Sequence, residues 1–118
     1  MKSEQVIQEY LIDGHDNSGV PYRRYSKNVE YGRKARVIGE IDIVFFYDNY
    51  IVLYEIKASE KHRDKARSQL ERAIKRCHLL DIDKPIFGIF AYKDKQKNIN
   101  LEYMVGSEIL KWQKCIEN

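Results

Sequence analysis

The sequence predicts one mixed α/β domain, α+β in layout, with a mixed sheet of four or five strands and flanking helices in the order α-β-β-α-β-β-α. Three observations carry that expectation. Apolar residues recur at helical spacing over 3–13 and 60–80. Runs rich in β-branched and aromatic residues occupy 41–47, 50–58, 85–92 and 99–105. Turn residues separate the runs. The chain has 118 residues, 43% hydrophobic and 33% charged, which suits a single modest core.

In chain order, Ser3 can cap the first helix and Glu4 lies in its first turn. Val6, Ile7, Tyr10 and Leu11 form one apolar stripe, and Gly14 ends the helix. Residues 15–38 begin with turn residues and interleave tyrosines with arginines; within them, 22–29 can form an edge strand. The helix over 60–80 buries Ala66, Leu70, Ala73, Ile74, Cys77 and Leu80. A polar turn at 93–98 joins the last two strands. Ser107 then opens a terminal helix whose Trp112 packs against the sheet or a partner subunit.

Several function classes find no support. No apolar run approaches the roughly 18 residues of a membrane span, and the start MKSEQVIQEYL does not read as a secretory signal, so a cytoplasmic protein is expected. Cys77 and Cys115 are too few for a disulfide framework or a zinc site. His15, His62 and His78 have no ligand-like spacing and receive no catalytic role.

Residues 39–57, GEIDIVFFYDNYIVLYEIK, carry the chemistry. Asp48 and Asn49 form a tight turn, so Tyr47 faces Tyr50, Asp42 faces Glu55, and Glu40 faces Lys57. Period-2 alternation sends Glu40, Asp42, Glu55 and Lys57 to one face, and Ile41, Ile43, Phe45, Val52, Tyr54 and Ile56 to the other. Opposed Cβ atoms lie about 4.5–5.5 Å apart, where like charges repel. A solvated edge hairpin with a Glu40–Lys57 ion pair would also alternate, yet it would have no use for two acids face to face. A hard divalent cation offsets the repulsion, since Mg²⁺ takes oxygen ligands and commonly one or two carboxylates. A lysine two residues beyond Glu55 then suits phosphodiester hydrolysis.

The net charge is +3, but residues 15–37 carry six Lys/Arg against two Asp/Glu, so this segment alone holds +4. Arg23, Arg24, Lys27, Arg33, Lys34 and Arg36 are therefore candidate phosphate contacts, and Tyr22, Tyr25 and Tyr31 either pack or stack on unpaired bases.

Asp42, the hydrophobic strand after it, and Glu55-Ile56-Lys57 as an E-x-K element resemble the PD-(D/E)XK nuclease superfamily. The GEID form is most similar to archaeal Holliday-junction resolvases and related endonuclease-like proteins. Ile41 stands where the family name has proline. The resemblance implies a restriction-endonuclease-like core with Mg²⁺, or Mn²⁺ in its place, held by Asp42 and Glu55, and Lys57 acting on the attacking water. It also implies a glutamate from the first helix, Glu4 in preference to Glu9, and adds the Ile56 carbonyl to the metal shell. Gln69 is carried over as a helix glutamine near the lysine or the scissile phosphate. Glu40 either tunes Lys57 or joins the metal shell.

The expected function is a metal-dependent DNA endonuclease, most specifically a homodimeric resolvase of four-way DNA, because one site per chain must pair to cut two strands. The alternatives are a restriction-like or repair endonuclease on duplex or single-stranded DNA, a non-cleaving nucleic-acid-binding module of the same fold, and a protein-interaction domain.

Overall fold

A computed structural model of the chain describes residues 3–33, 36–79 and 84–106. Its elements are α1 (Ser3–Asp16), β1 (Arg24–Arg33), β2 (Arg36–Phe46), β3 (Ile51–Lys57), a 3-10 turn at Glu60–His62, α2 (Arg63–Leu79), β4 (Ile86–Lys93) and β5 (Ile99–Gly106). The terminal helix expected from Ser107 onward lies outside the described residues.

The five strands form one mixed sheet in the order β1-β2-β3-β4-β5. Only β3 and β4 run parallel, and α2 supplies the crossover that parallel neighbours need. The expected order is corrected in one place. The basic segment is a full strand, so three strands precede α2. Strand β1 is held by pairing with β2 from Arg24↔Phe46 to Arg33↔Arg36.

Helix α1 also runs past Gly14 to Asp16. His15 explains the extension: its ring stacks on Phe45 with centroids 3.7 Å apart, and its two nitrogens each lie 2.6 Å from a tyrosine hydroxyl, of Tyr47 and of Tyr54. That anchoring outweighs the roughly 1 kcal/mol that glycine costs a helix.

Strand β3 is the centre of the molecule, and every residue from Ile51 to Ile56 is buried. One face packs Ile43, Phe45, Val52, Tyr54 and Ile56 against Ile7 and Leu11 of α1. The other packs Val44, Ile51 and Leu53 against Leu70, Ala73 and Ile74 of α2. A strand covered on both faces reads as a continuous apolar run, which β3 does except at Glu55 and the terminal Lys57. Ile41 departs from the expected alternation, clustering with the α2 side. Among the described residues, no helix is long and apolar enough to cross a membrane.

Candidate active site

The β2–β3 hairpin has the register read from its turn. Phe46 pairs with Ile51, Phe45 with Val52, Val44 with Leu53 and Ile43 with Tyr54. The next pair would be Asp42 and Glu55, and the ladder stops there. The Ile56 N–H donates to Asp42 Oδ2 at 2.7 Å, so a side chain occupies the gap where the strands part. Gln8 of α1, itself buried, donates from Nε2 to the Asp42 carbonyl at 3.2 Å. Strand and helix together fix Asp42.

Glu55 is 1% exposed. Burying a carboxylate is unfavourable unless its charge is met by partners. Its Oε2 lies 3.9 Å from Lys57 Nζ, and its buried Oε1 has no hydrogen-bond partner. Burial first, and then the charge of Asp42, push the Glu55 carboxyl up to about 8, with Lys57 opposing. Burial likewise raises Asp42, to about 7; the Ile56 N–H works against the shift, and a hydrogen bond with Glu4 adds to it. The first turn of α1 therefore brings a third acid to the hairpin pair, whereas Glu9 on the same helix is exposed.

Among the described residues, no three His, Cys, Asp or Glu side chains form a ready-made metal cage. The donor chemistry nevertheless fits a hard divalent cation. Asp42 and Glu55 offer carboxylate oxygens, one of them buried and unpartnered, in a setting that raises the energy of both anions. Glu4 and the Ile56 carbonyl can complete the oxygen set.

Glu40 does not face Lys57 across a ladder. It pairs in register with Glu30 of β1, is exposed, and lines a cleft with Glu4, Gln5, Gln8 and Asn28. Gln69 sits on α2 with its Oε1 buried and without a hydrogen-bond partner.

Of the basic residues, Arg23 is ion-paired with Asp48, and Arg24 lies over the Phe46 ring at 4.0 Å and donates to Ser26. Lys27 and Arg36 are exposed on β1 and β2, while Lys34 and the Arg33 side chain fall outside the described residues. Tyr22 packs edge-on to Phe45, with centroids 5.3 Å apart, and donates to Asp16.

The residues that sequence reasoning missed are Gln8, Asn28 and His15. Gln8 follows Glu4 by one helical turn, which is the spacing that could have flagged it. Comparison with family models, curated proteins and solved structures finds no match for this chain. Fold and site together define an α+β domain with a half-buried aspartate, a buried glutamate and a lysine where β2 and β3 separate.

Proposed function

We propose that the chain is a metal-dependent DNA endonuclease of the PD-(D/E)XK type, with the restriction-endonuclease-like core that this resemblance implies. One observation carries the reading. Asp42 and the fully buried Glu55 sit side by side, both held above their ordinary range, with Lys57 as the cation beside them. Such a pair destabilises a metal-free fold and has a use when a cation binds.

Asp42 and Glu55, with Glu4 and the Ile56 carbonyl, would hold a divalent cation, which would supply charge neutralisation and a more acidic water. The chain's own groups do the rest. The Ile56 N–H and Gln8 fix Asp42 on both its side-chain and backbone oxygens. Lys57, held toward Glu55, stabilises negative charge developing on a phosphoryl oxygen and orients the attacking water. Exposed Lys27 and Arg36 supply phosphate contacts on the β1–β2 ribbon.

The most specific form of the reading is a homodimeric resolvase of four-way junctions, and that step rests on the sequence resemblance. The test is cleavage of labelled linear duplex, single-stranded, flap and four-way-junction DNA with Mg²⁺ or Mn²⁺, wild type beside Asp42→Ala and Glu55→Ala. Paired symmetric cuts in the junction alone, lost in both variants, support the resolvase. Cuts in linear or flap DNA support a restriction-like or repair endonuclease instead, and DNA bound without cutting supports a binding module.

A further inference from the structure

A second feature adjoins the acids. A cleft of about 440 Å³ is lined by Glu4, Gln5, Gln8, Asn28 and Glu40. That volume lies within the range of small-ligand pockets, roughly 300–1,000 Å³. Among the described residues that line it, three side chains are carboxamides and two are carboxylates, with neither a cation nor an apolar residue. The cleft is therefore unsuited to a phosphate and suited to a neutral group that both donates and accepts hydrogen bonds.

Asn28 reaches the cleft by an unusual backbone route. Lys27 pairs with Ile43 and Val29 with Ile41, so Asn28 stands opposite Asp42, yet the pairing skips it. Its φ is 53°, a left-handed conformation that non-glycine residues seldom adopt and that asparagine tolerates better than most. The strand thus leaves its ladder at one residue, level with Asp42. Glu4 belongs to both places, since its carboxyl acts on that of Asp42 and lines the cleft.

From this juxtaposition we infer that the cleft is a nucleobase subsite, in which Gln5, Asn28 and Glu40 receive the edge of the base next to the scissile phosphate. The inference rests on the nuclease reading for its substrate. Its ligand class follows from the lining. Carboxamides pair with base edges that present a donor beside an acceptor, and carboxylates accept from exocyclic amino groups, as on cytosine and adenine. The subsite favours amino-bearing bases over thymine. Gln8 is engaged by the Asp42 carbonyl and acts as a positioning residue between subsite and acids.

The experiment has two readouts. The first is cleavage of a labelled substrate set with each base, or an abasic site, placed in turn beside the cut. Wild type is expected to prefer adenine or cytosine over thymine at one position by roughly tenfold, the scale of one well-formed base contact. Asn28→Gly, which keeps the left-handed backbone, and Gln5→Ala are expected to shrink that ratio to about twofold or less. A wild type without base preference, or variants that retain it, overturns the subsite.

The second readout is independent of hydrolysis. The side-chain amide resonances of Gln5 and Asn28 are followed by ¹⁵N–¹H NMR as metal-free protein is titrated with trinucleotides centred on dA, dC, dT or an abasic residue. Shifts with the dA and dC trinucleotides that are absent with the abasic one support the subsite even where no DNA is cut, in which case the nuclease reading alone falls. Absence of shifts, or equal shifts with the abasic trinucleotide, overturns it.

Discussion

Asp42 Oδ2 accepts the Ile56 N–H at 2.7 Å at the point where the β2–β3 ladder ends. A carboxylate in place of a carbonyl at the next rung parts the strands and leaves Glu55 beside Asp42 in a buried setting. The parting, more than the hairpin itself, makes the candidate site.

The first prediction concerns pH and metal. Both carboxyls are raised, to about 7 for Asp42 and about 8 for Glu55, so between about pH 4 and pH 8 the folded protein holds protons that the unfolded chain has released. Their contribution is fully present below about pH 4 and is lost as pH rises through 7 to 8. Metal-free Tm should therefore fall over this window as far as these two groups govern it. The rise in Tm on adding MgCl₂ should grow from pH 5 to pH 8, because the cation binds the deprotonated pair. Glu55→Gln should reduce the metal-free loss of stability between about pH 4 and pH 8 by on the order of 2 kcal/mol and shrink the Mg²⁺ response. Thermal melts from pH 4 to 9, with and without Mg²⁺, decide this.

His15 acts in the opposite sense. Burial holds its imidazole below the ordinary value, so its contribution is present above about pH 6.5 and is lost as pH falls below it. His15→Ala removes a ring stacked on Phe45 and leaves the Tyr47 and Tyr54 hydroxyls without it. A loss of about 2–3 kcal/mol is expected in urea unfolding at pH 7.5. Cleavage per folded molecule should hold within about twofold, since none of these groups belongs to the acid cluster.

Gly39 pairs with Tyr31, whose ring lies where a Cβ on Gly39 would stand. Gly39→Ala should destabilise the β1–β2 ribbon by about 1–3 kcal/mol through overpacking. In a double-mutant cycle, Tyr31→Ala should remove most of that penalty. Additive losses would show that the ring is not what excludes the methyl group.

The basic residues should separate by environment. Lys27→Ala and Arg36→Ala should each weaken DNA binding and reduce the slope of log affinity against log salt by about 1. Arg23→Ala should change the slope less, because Arg23 is already paired with Asp48. Fluorescence anisotropy from 50 to 300 mM salt distinguishes them, and equal slopes would remove β1–β2 from the interface.

The hairpin was legible because its two-residue turn fixes register and alternation then assigns faces; the pairs from Phe46–Ile51 to Ile43–Tyr54 follow the count from Asp48-Asn49. The α1 stripe was legible by the same reasoning from period in Ile7 and Leu11, although Tyr10 is exposed. The α2 stripe was legible in Ala66, Leu70, Ala73 and Ile74, while the Cys77 and Leu80 side chains lie outside the described residues. Strand β1 was harder to delimit, since its pairing skips Asn28 and shifts between Tyr31 and Gly32. The end of α1 was misjudged because Gly14 is a local stop signal, while the contacts of His15 with Phe45, Tyr47 and Tyr54 span more than 25 positions of sequence. Gln8 escaped notice because a buried glutamine whose partner is a backbone carbonyl leaves no compositional mark. The register placed Glu40 opposite Lys57, but the strands part before that pair, and Glu40 instead pairs with Glu30.

The most direct test follows labelled four-way-junction and linear duplex DNA with Mg²⁺ titrated from zero, comparing wild type with Asp42→Asn and Lys57→Ala, each variant first checked for native melting. The expected result is Mg²⁺-dependent scission by wild type, reduced at least about a hundredfold in both variants, with Lys57→Ala retaining a Mg²⁺-induced rise in Tm that Asp42→Asn has lost. Scission that is independent of Mg²⁺, or that persists in Asp42→Asn, would contradict the assignment of the split between β2 and β3 as a metal-dependent nuclease site.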